Sequence, residues 1–201
     1  MRGLFFSATR FSLVALLAMP IACRDQGPPA ATEVAAKTRA VIVLPAKNGA
    51  TLAVTSPAFK DGGDIPLENT QYKGNVFPGL SWTAGPAGTQ SYAIIMQDGD
   101  GVRRNSNGQP ILHWTMANIP PALTTLATEM TAPPDGAAFG PNGSGTNRPY
   151  LGPRTPPGPR HRYHFQVFAL DTLLPANALA TFEAMTAAMN GRVLASGELV
   201  E

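Results

Sequence analysis

Cysteine occurs once in the 201 residues and histidine three times, and charged side chains make up only 14% of the chain against about 25% in an average soluble protein. A single cysteine excludes an intramolecular disulfide. So little charge excludes disorder driven by self-repulsion, and 20 glycines and 20 prolines without a Gly-X-Y period exclude both a coiled coil and a collagen repeat. No Gly-x-Ser-x-Gly elbow and no His-Glu-x-x-His pair occurs, so the commonest signatures of a nucleophilic hydrolase and of a zinc hydrolase are missing. The formal charge of +2 looks mildly basic, but Arg2 and Arg10 lie in an N-terminal stretch without Asp or Glu. With residues 1–22 removed the chain is neutral, and nothing in its charge calls for a nucleic-acid partner.

What is present begins with an address. Two arginines and a twelve-residue apolar stretch, Phe11 to Ala22, run into Cys23. Twelve residues fall short of the roughly 20 that span a bilayer and fit the apolar region of a secretory signal. A lone cysteine at that position resembles the lipid-attachment cysteine of a bacterial lipoprotein, with Pro20 standing where Leu, Val or Ile is usual. Cleavage near Ala22 by an ordinary signal peptidase and no cleavage at all are the two other fates of this segment. Residues 23–40, with Gly27-Pro28-Pro29 and several alanines, read as a flexible tether, so the expected membrane contact is through a lipid on Cys23 alone.

Residues 41–201 read as one domain. Short apolar runs (Val41–Leu44, Thr51–Thr55, Leu80–Thr83, Ser91–Gln97, Leu112–Ile119 and His161–Leu170) recur between turn clusters, which favours a mainly β, largely antiparallel fold. One amphipathic helix is expected over Thr181–Met189. Phe182, Met185 and Met189 share a face as core filler, Asn190-Gly191 supplies a stop, and a last strand runs over Val193–Val200. Between Pro133 and Pro159 the pattern breaks: 14 of 27 residues are Gly or Pro. A loop of that length is either a mobile excursion or functional.

The chemistry concentrates in three places. Asp98-Gly99-Asp100 ends an apolar strand, and an extended backbone points the two acids the same way. Two carboxylates about 4 Å apart repel by about 4 kcal/mol at an effective dielectric of 20, so the pair needs a cation, a shared proton or several donors. The blander alternative is a solvated turn capping its own amides. His113-Trp114 opens the next strand, and pairing of the two strands brings His113 towards the acids. The third segment, Pro156-Pro157-Gly-Pro-Arg-His161-Arg-Tyr163-His164-Phe165, leads out of the loop. Alternation sets His161, Tyr163 and Phe165 on one face and Arg162, His164 and Gln166 on the other, which suits His161 and His164 poorly as ligands of one metal.

Taken together these segments resemble the phosphatidylethanolamine-binding protein family, in its bacterial Raf-kinase-inhibitor-like branch. The resemblance runs in order through Ser56-to-Pro66, Gly79-Leu-Ser-Trp82, Gly85-to-Thr89, Asp98-Gly-Asp100, His113-Trp114, Asn118-Ile-Pro120, Gly152-Pro153, Pro156-to-Phe165, Ala169-Leu-Asp171 and Ala188-to-Gly191. It implies two antiparallel β-sheets with a few peripheral helices, one near the C-terminus. It also implies a small pocket for phosphate or a phospholipid headgroup, lined by Asp98, Asp100, His113, Pro156, Pro157, His161 and Tyr163. A binding protein without a catalytic reaction or cofactor is expected. Asp98-Gly-Asp-Gly-Val102 replaces the family's Asp-Pro-Asp-Ala-Pro, so a looser pocket edge is expected. The Gly-Thr-Tyr tail of many relatives does not follow Glu201, so no contribution from it is expected.

Two carboxylates make an unusual anion site. The expectation is that His113 and His161, at least one of them protonated, face the anion while an Asp orients an imidazole, giving pH-dependent affinity. The alternatives are an inhibitory module that docks a protein partner of the cell envelope through the loop and pocket rim, and a metal-dependent hydrolase using Asp98, Asp100, His113 and His161.

Overall fold

The computed structural model describes residues 38–102 and 109–201. The apolar leader, Cys23, most of the tether and the tip of the 101–110 hairpin lie outside the described residues.

The chain forms two sheets and few helices. In order, it makes α1 (Ala40–Val43), β1 (Ala50–Thr51), β2 (Val54–Thr55), β3 (Leu80–Trp82), β4 (Ser91–Val102) and β5 (Pro110–Ile119). There follow β6 (Thr125–Leu126), β7 (Ala138–Phe139), β8 (Tyr163–Leu170), α2 (Phe182–Met189) and β9 (Val193–Val200). The larger sheet has the order β1-β9-β8-β4-β5-β7 and the smaller β2-β3-β6. All pairings are antiparallel except that of β1 with β9.

Side-chain alternation along the central strands builds two cores. Ile94, Met96, Trp114, Met116, Phe165 and Val167 face the small sheet and pack with Leu80, Trp82, Phe77 and Tyr150. Ala93, Ile95, Ala117, Phe168 and Leu170 face the other way, under Met185 and Met189 of α2 and Ala40 and Leu44 of the N-terminal segment. All eight residues of β8 are buried, as expected of a strand covered on both faces. Helix α2 begins at Thr181, whose Oγ1 accepts from the Ala184 amide at 3.1 Å, and is followed by Gly191 at φ +70°.

Two expectations change, and one open alternative narrows. Val41–Leu44 is no strand: the segment is a single helical turn followed by Leu44. Buried glutamines decide this, because Gln97 Oε1 accepts from the Ala40 amide at 2.8 Å and Gln166 Oε1 from the Val41 amide at 2.7 Å. Paired this way, the amides are unavailable to a ladder, and β-branched propensity yields. The end of the tether is thereby docked, with Ala40 fully buried. Thr51–Thr55 is two strands, β1 on the large sheet and β2 on the small one, with the chain crossing between them. The Pro133–Pro159 segment is pinned. Strand β7 pairs with β5, and Asn75, at φ 55°, donates from its side chain to the Tyr150 carbonyl and accepts from the Gly152 amide.

Candidate functional site

Strand pairing sets Asp98 opposite both Ile111 on β5 and Tyr163 on β8. The ladder then slips, and the ends of the three strands open into a cavity of about 320 Å³. Asp98, His113, Pro156, His161 and Tyr163 line it together.

Asp98 is the best-satisfied acid of the site. Its Oδ1 accepts from the backbone amides of Asp100 (3.0 Å) and Gly101 (2.6 Å), and its Oδ2 accepts from His161 Nδ1 at 2.7 Å. The carboxylate is 3% exposed, so it caps its own turn, but a buried one. A Cβ on Gly101 would stand 2.2 Å from Asp98 Oδ2, which is why glycine follows there. These bonds hold the Asp98–Gly101 edge of the cavity.

Asp100 belongs elsewhere. It takes the Arg162 amide, Nε and Nη2, each at 2.8 Å, and lines neither this cavity nor its neighbour. The Arg162 hydrogen bonds hold its carboxyl below the usual range against the opposing effect of burial. The expected repulsion between the acids is thus relieved by giving each its own donors.

His113 Nδ1 faces the carbonyl oxygens of Leu151 (3.1 Å) and Gly152 (3.2 Å), which only accept, so this nitrogen carries a proton. Tyr163 meets His113 edge-on with ring centroids 5.0 Å apart, and its hydroxyl pairs with Thr155 Oγ1 at 2.7 Å. Burial pushes that phenol up to about 12, so it stays a neutral donor or acceptor.

A second cavity of about 350 Å³ lies across the proline loop, and Pro156, His161 and Tyr163 belong to both. Pro157 lines only this second one, with Tyr72, Arg160 and Glu201. Burial, with Asp64 and Asp98 nearby, lifts the Glu201 carboxyl to about 7.

Seven residues lining the first cavity escape sequence reasoning: Gln71, Ile111, Leu112, Gly143, Ser144, Leu151 and Arg154. Arg154 carries a signal, being a cation within the proline loop, whereas Gln71 sits in a turn with no pattern at all. Among the described residues no three of His, Cys, Asp and Glu group as a metal-ligand set.

The sequence profile described as "Phosphatidylethanolamine-binding protein" matches residues 55–200. The chain belongs to that family. Within the family it is 38% identical over 146 residues to a UPF0098 protein of Methanothermobacter thermautotrophicus, covering 71% of this chain and 92% of that one. It is 35% identical over 147 residues to a Mycobacterium tuberculosis protein named "Putative lipoprotein LppC", covering 73% of this chain and 66% of that one. Two solved structures of the family superpose well. The phosphatidylethanolamine-binding protein homologue CT736 of Chlamydia trachomatis gives a TM-score of 0.67 at 29% identity, over 75% of this chain and 95% of that one. YbcL of E. coli gives 0.66 at 28%, over 75% and 96%.

Proposed function

We propose that this family member is a non-catalytic binding protein for a small phosphoryl anion, free or as a phospholipid headgroup, exported to the bacterial cell envelope and lipidated on Cys23. The observation that carries the binding reading is the bond from the partly exposed His161 to the buried Asp98 in the wall of a cavity of about 320 Å³ that His113 and Tyr163 also line. Asp98 accepts from Nδ1, and in the imidazolium form the other ring nitrogen, Nε2, also carries a proton and is the donor an anion needs. Export rests on the leader and on the likeness to a relative whose name includes lipoprotein.

Calorimetric titration with inorganic phosphate, phosphoethanolamine and sulfate tests the binding. Sulfate keeps its charge between pH 5.5 and 8 while imidazole does not, so it isolates the protein's contribution. Sulfate binds more tightly at pH 5.5, and His161→Ala loses about 1.5–3 kcal/mol. Equal sulfate affinity at both pH values would sink the histidine mechanism, and no binding of any of the three would sink the anion reading itself.

A further inference from the structure

We propose that Arg154 sets the charge preference of this cavity, gripping a doubly charged phosphoryl or sulfuryl oxyanion at the mouth and favouring it over a singly charged diester. The inference rests on the anion-binding reading above.

The charge inventory of the walls leads to it. Asp98 and His161 bond to each other, so together they contribute zero with an imidazolium and minus one with a neutral ring. His113 turns its Nδ1 proton to two backbone carbonyls, and the Tyr163 phenol is neutral. Walls of that kind offer hydrogen-bond donors but no net positive charge. The next two arginines along the chain, Arg160 and Arg162, are committed elsewhere. Arg160 Nη1 lies 2.5 Å from Asp64 Oδ1, and Arg162 makes its three bonds to Asp100. Arg154 is the one guanidinium among the residues lining the cavity.

Its root is fixed and its head is not. Before it, the Gly152 carbonyl accepts from Gln71 Nε2 at 2.6 Å and the Pro153 carbonyl from the Gln71 amide at 3.0 Å. After it, the Thr155 carbonyl accepts from the Tyr72 hydroxyl, and Thr155 Oγ1 pairs with Tyr163. Arg154 itself is exposed, and among the described residues its guanidinium makes no hydrogen bond or ion pair. An anchored backbone with an unspent planar fork suits bidentate capture of two oxyanion oxygens, with little further ordering needed from the loop.

The test is titration of the full chain and of Arg154→Ala and Arg154→Lys with sulfate, inorganic phosphate and glycerophosphoethanolamine, a diester headgroup, at pH 8 and two salt concentrations. The wild-type chain is expected to bind the dianions more tightly than the diester. Arg154→Ala lowers dianion affinity roughly 10- to 100-fold, erases that preference and flattens the salt dependence, with the melting temperature unchanged. Arg154→Lys restores part of the affinity. If the wild type binds and Arg154→Ala binds equally well, the role of Arg154 is overturned while the anion cavity stands. If dianion and diester weaken alike, the charge preference is overturned. A wild-type chain that binds none of the three at pH 8 or at pH 5.5 overturns the cavity reading, and this inference with it.

Discussion

His161 and His164 are three positions apart, and each is bonded to a carboxylate, yet the two pairs lie on opposite faces of the large sheet. His161 meets Asp98 at 2.7 Å in the wall of a cavity. His164 meets Glu198 on β9 at 3.1 Å, where Arg39 of the N-terminal segment contacts both partners. The front carboxylate is held by two amides of its own turn, which orient it towards one imidazole. The rear carboxylate is held by charges, and the arginine comes from a segment that covers it. The same pair of groups therefore fixes a donor in one place and fastens a strap in the other. What differs is the neighbours, not the histidine.

The two glycines that flank Asp100 let the comparison be broken one side at a time. A Cβ at Gly101 would sit 2.2 Å from Asp98 Oδ2 and 2.7 Å from Ile111 Cδ1. Gly101→Ala is therefore expected to cost about 2–4 kcal/mol in urea unfolding and to abolish sulfate binding. A Cβ at Gly99 would stand 2.9 Å from His164 Nε2. Gly99→Ala is expected to cost about 1–3 kcal/mol while leaving sulfate affinity within about twofold. Equal loss of binding in both variants would mean that the two faces are one site.

Charge removal without a change of shape gives a smaller effect. In Asp98→Asn the side-chain oxygen still accepts from the Asp100 and Gly101 amides, but the imidazolium loses its counter-charge. Sulfate affinity at pH 5.5 is expected to fall about tenfold. Glu198→Gln should leave affinity alone and change acid stability. The His164 hydrogen bond, helped by Arg39, holds the Glu198 carboxyl below its ordinary value of 4.5. Its contribution is thus fully present above that value and is lost as pH falls through the folded-state value. Melting curves and exchange of the Ala40 and Val41 amides should show the strap loosening in acid in the wild type, with a flatter profile in Glu198→Gln.

The smallest effect is expected at Asp100. Its partner Arg162 is largely exposed, and such pairs contribute about 0.3–1 kcal/mol. Asp100→Asn should change sulfate affinity less than threefold. A loss as large as that of Asp98→Asn would return Asp100 to the cavity.

The faces of the strands were legible because period-two alternation is a property of the backbone: Tyr163 and Phe165 lie on one face of β8 and His164 and Gln166 on the other, both faces covered, as spacing alone required for the alternation. The helix over Phe182–Met189 and the strand over Val193–Val200 followed from periodicity and from the Asn190-Gly191 stop. Two things were not legible. Asp98 and Asp100 share a direction on an ideal strand; capping of the turn's own amides was legible as the alternative, but that the capping carboxylate is buried and meets His161 was not. The proline loop looked mobile by composition because what pins it, Gln71, Tyr72 and Asn75, lies some 80 residues earlier in a turn without pattern. Side-chain amides acting on distant carbonyls leave no periodic trace.

Because Pro156, His161 and Tyr163 are common to both cavities, the two volumes are separated by a single party wall. Whatever enters the side that Tyr72 and Glu201 line, and displaces that wall, alters the affinity of the other side for the anion proposed to bind there. Linkage then requires the anion to alter the visitor's affinity by the same factor. Neither compartment can be characterised with the other left uncontrolled.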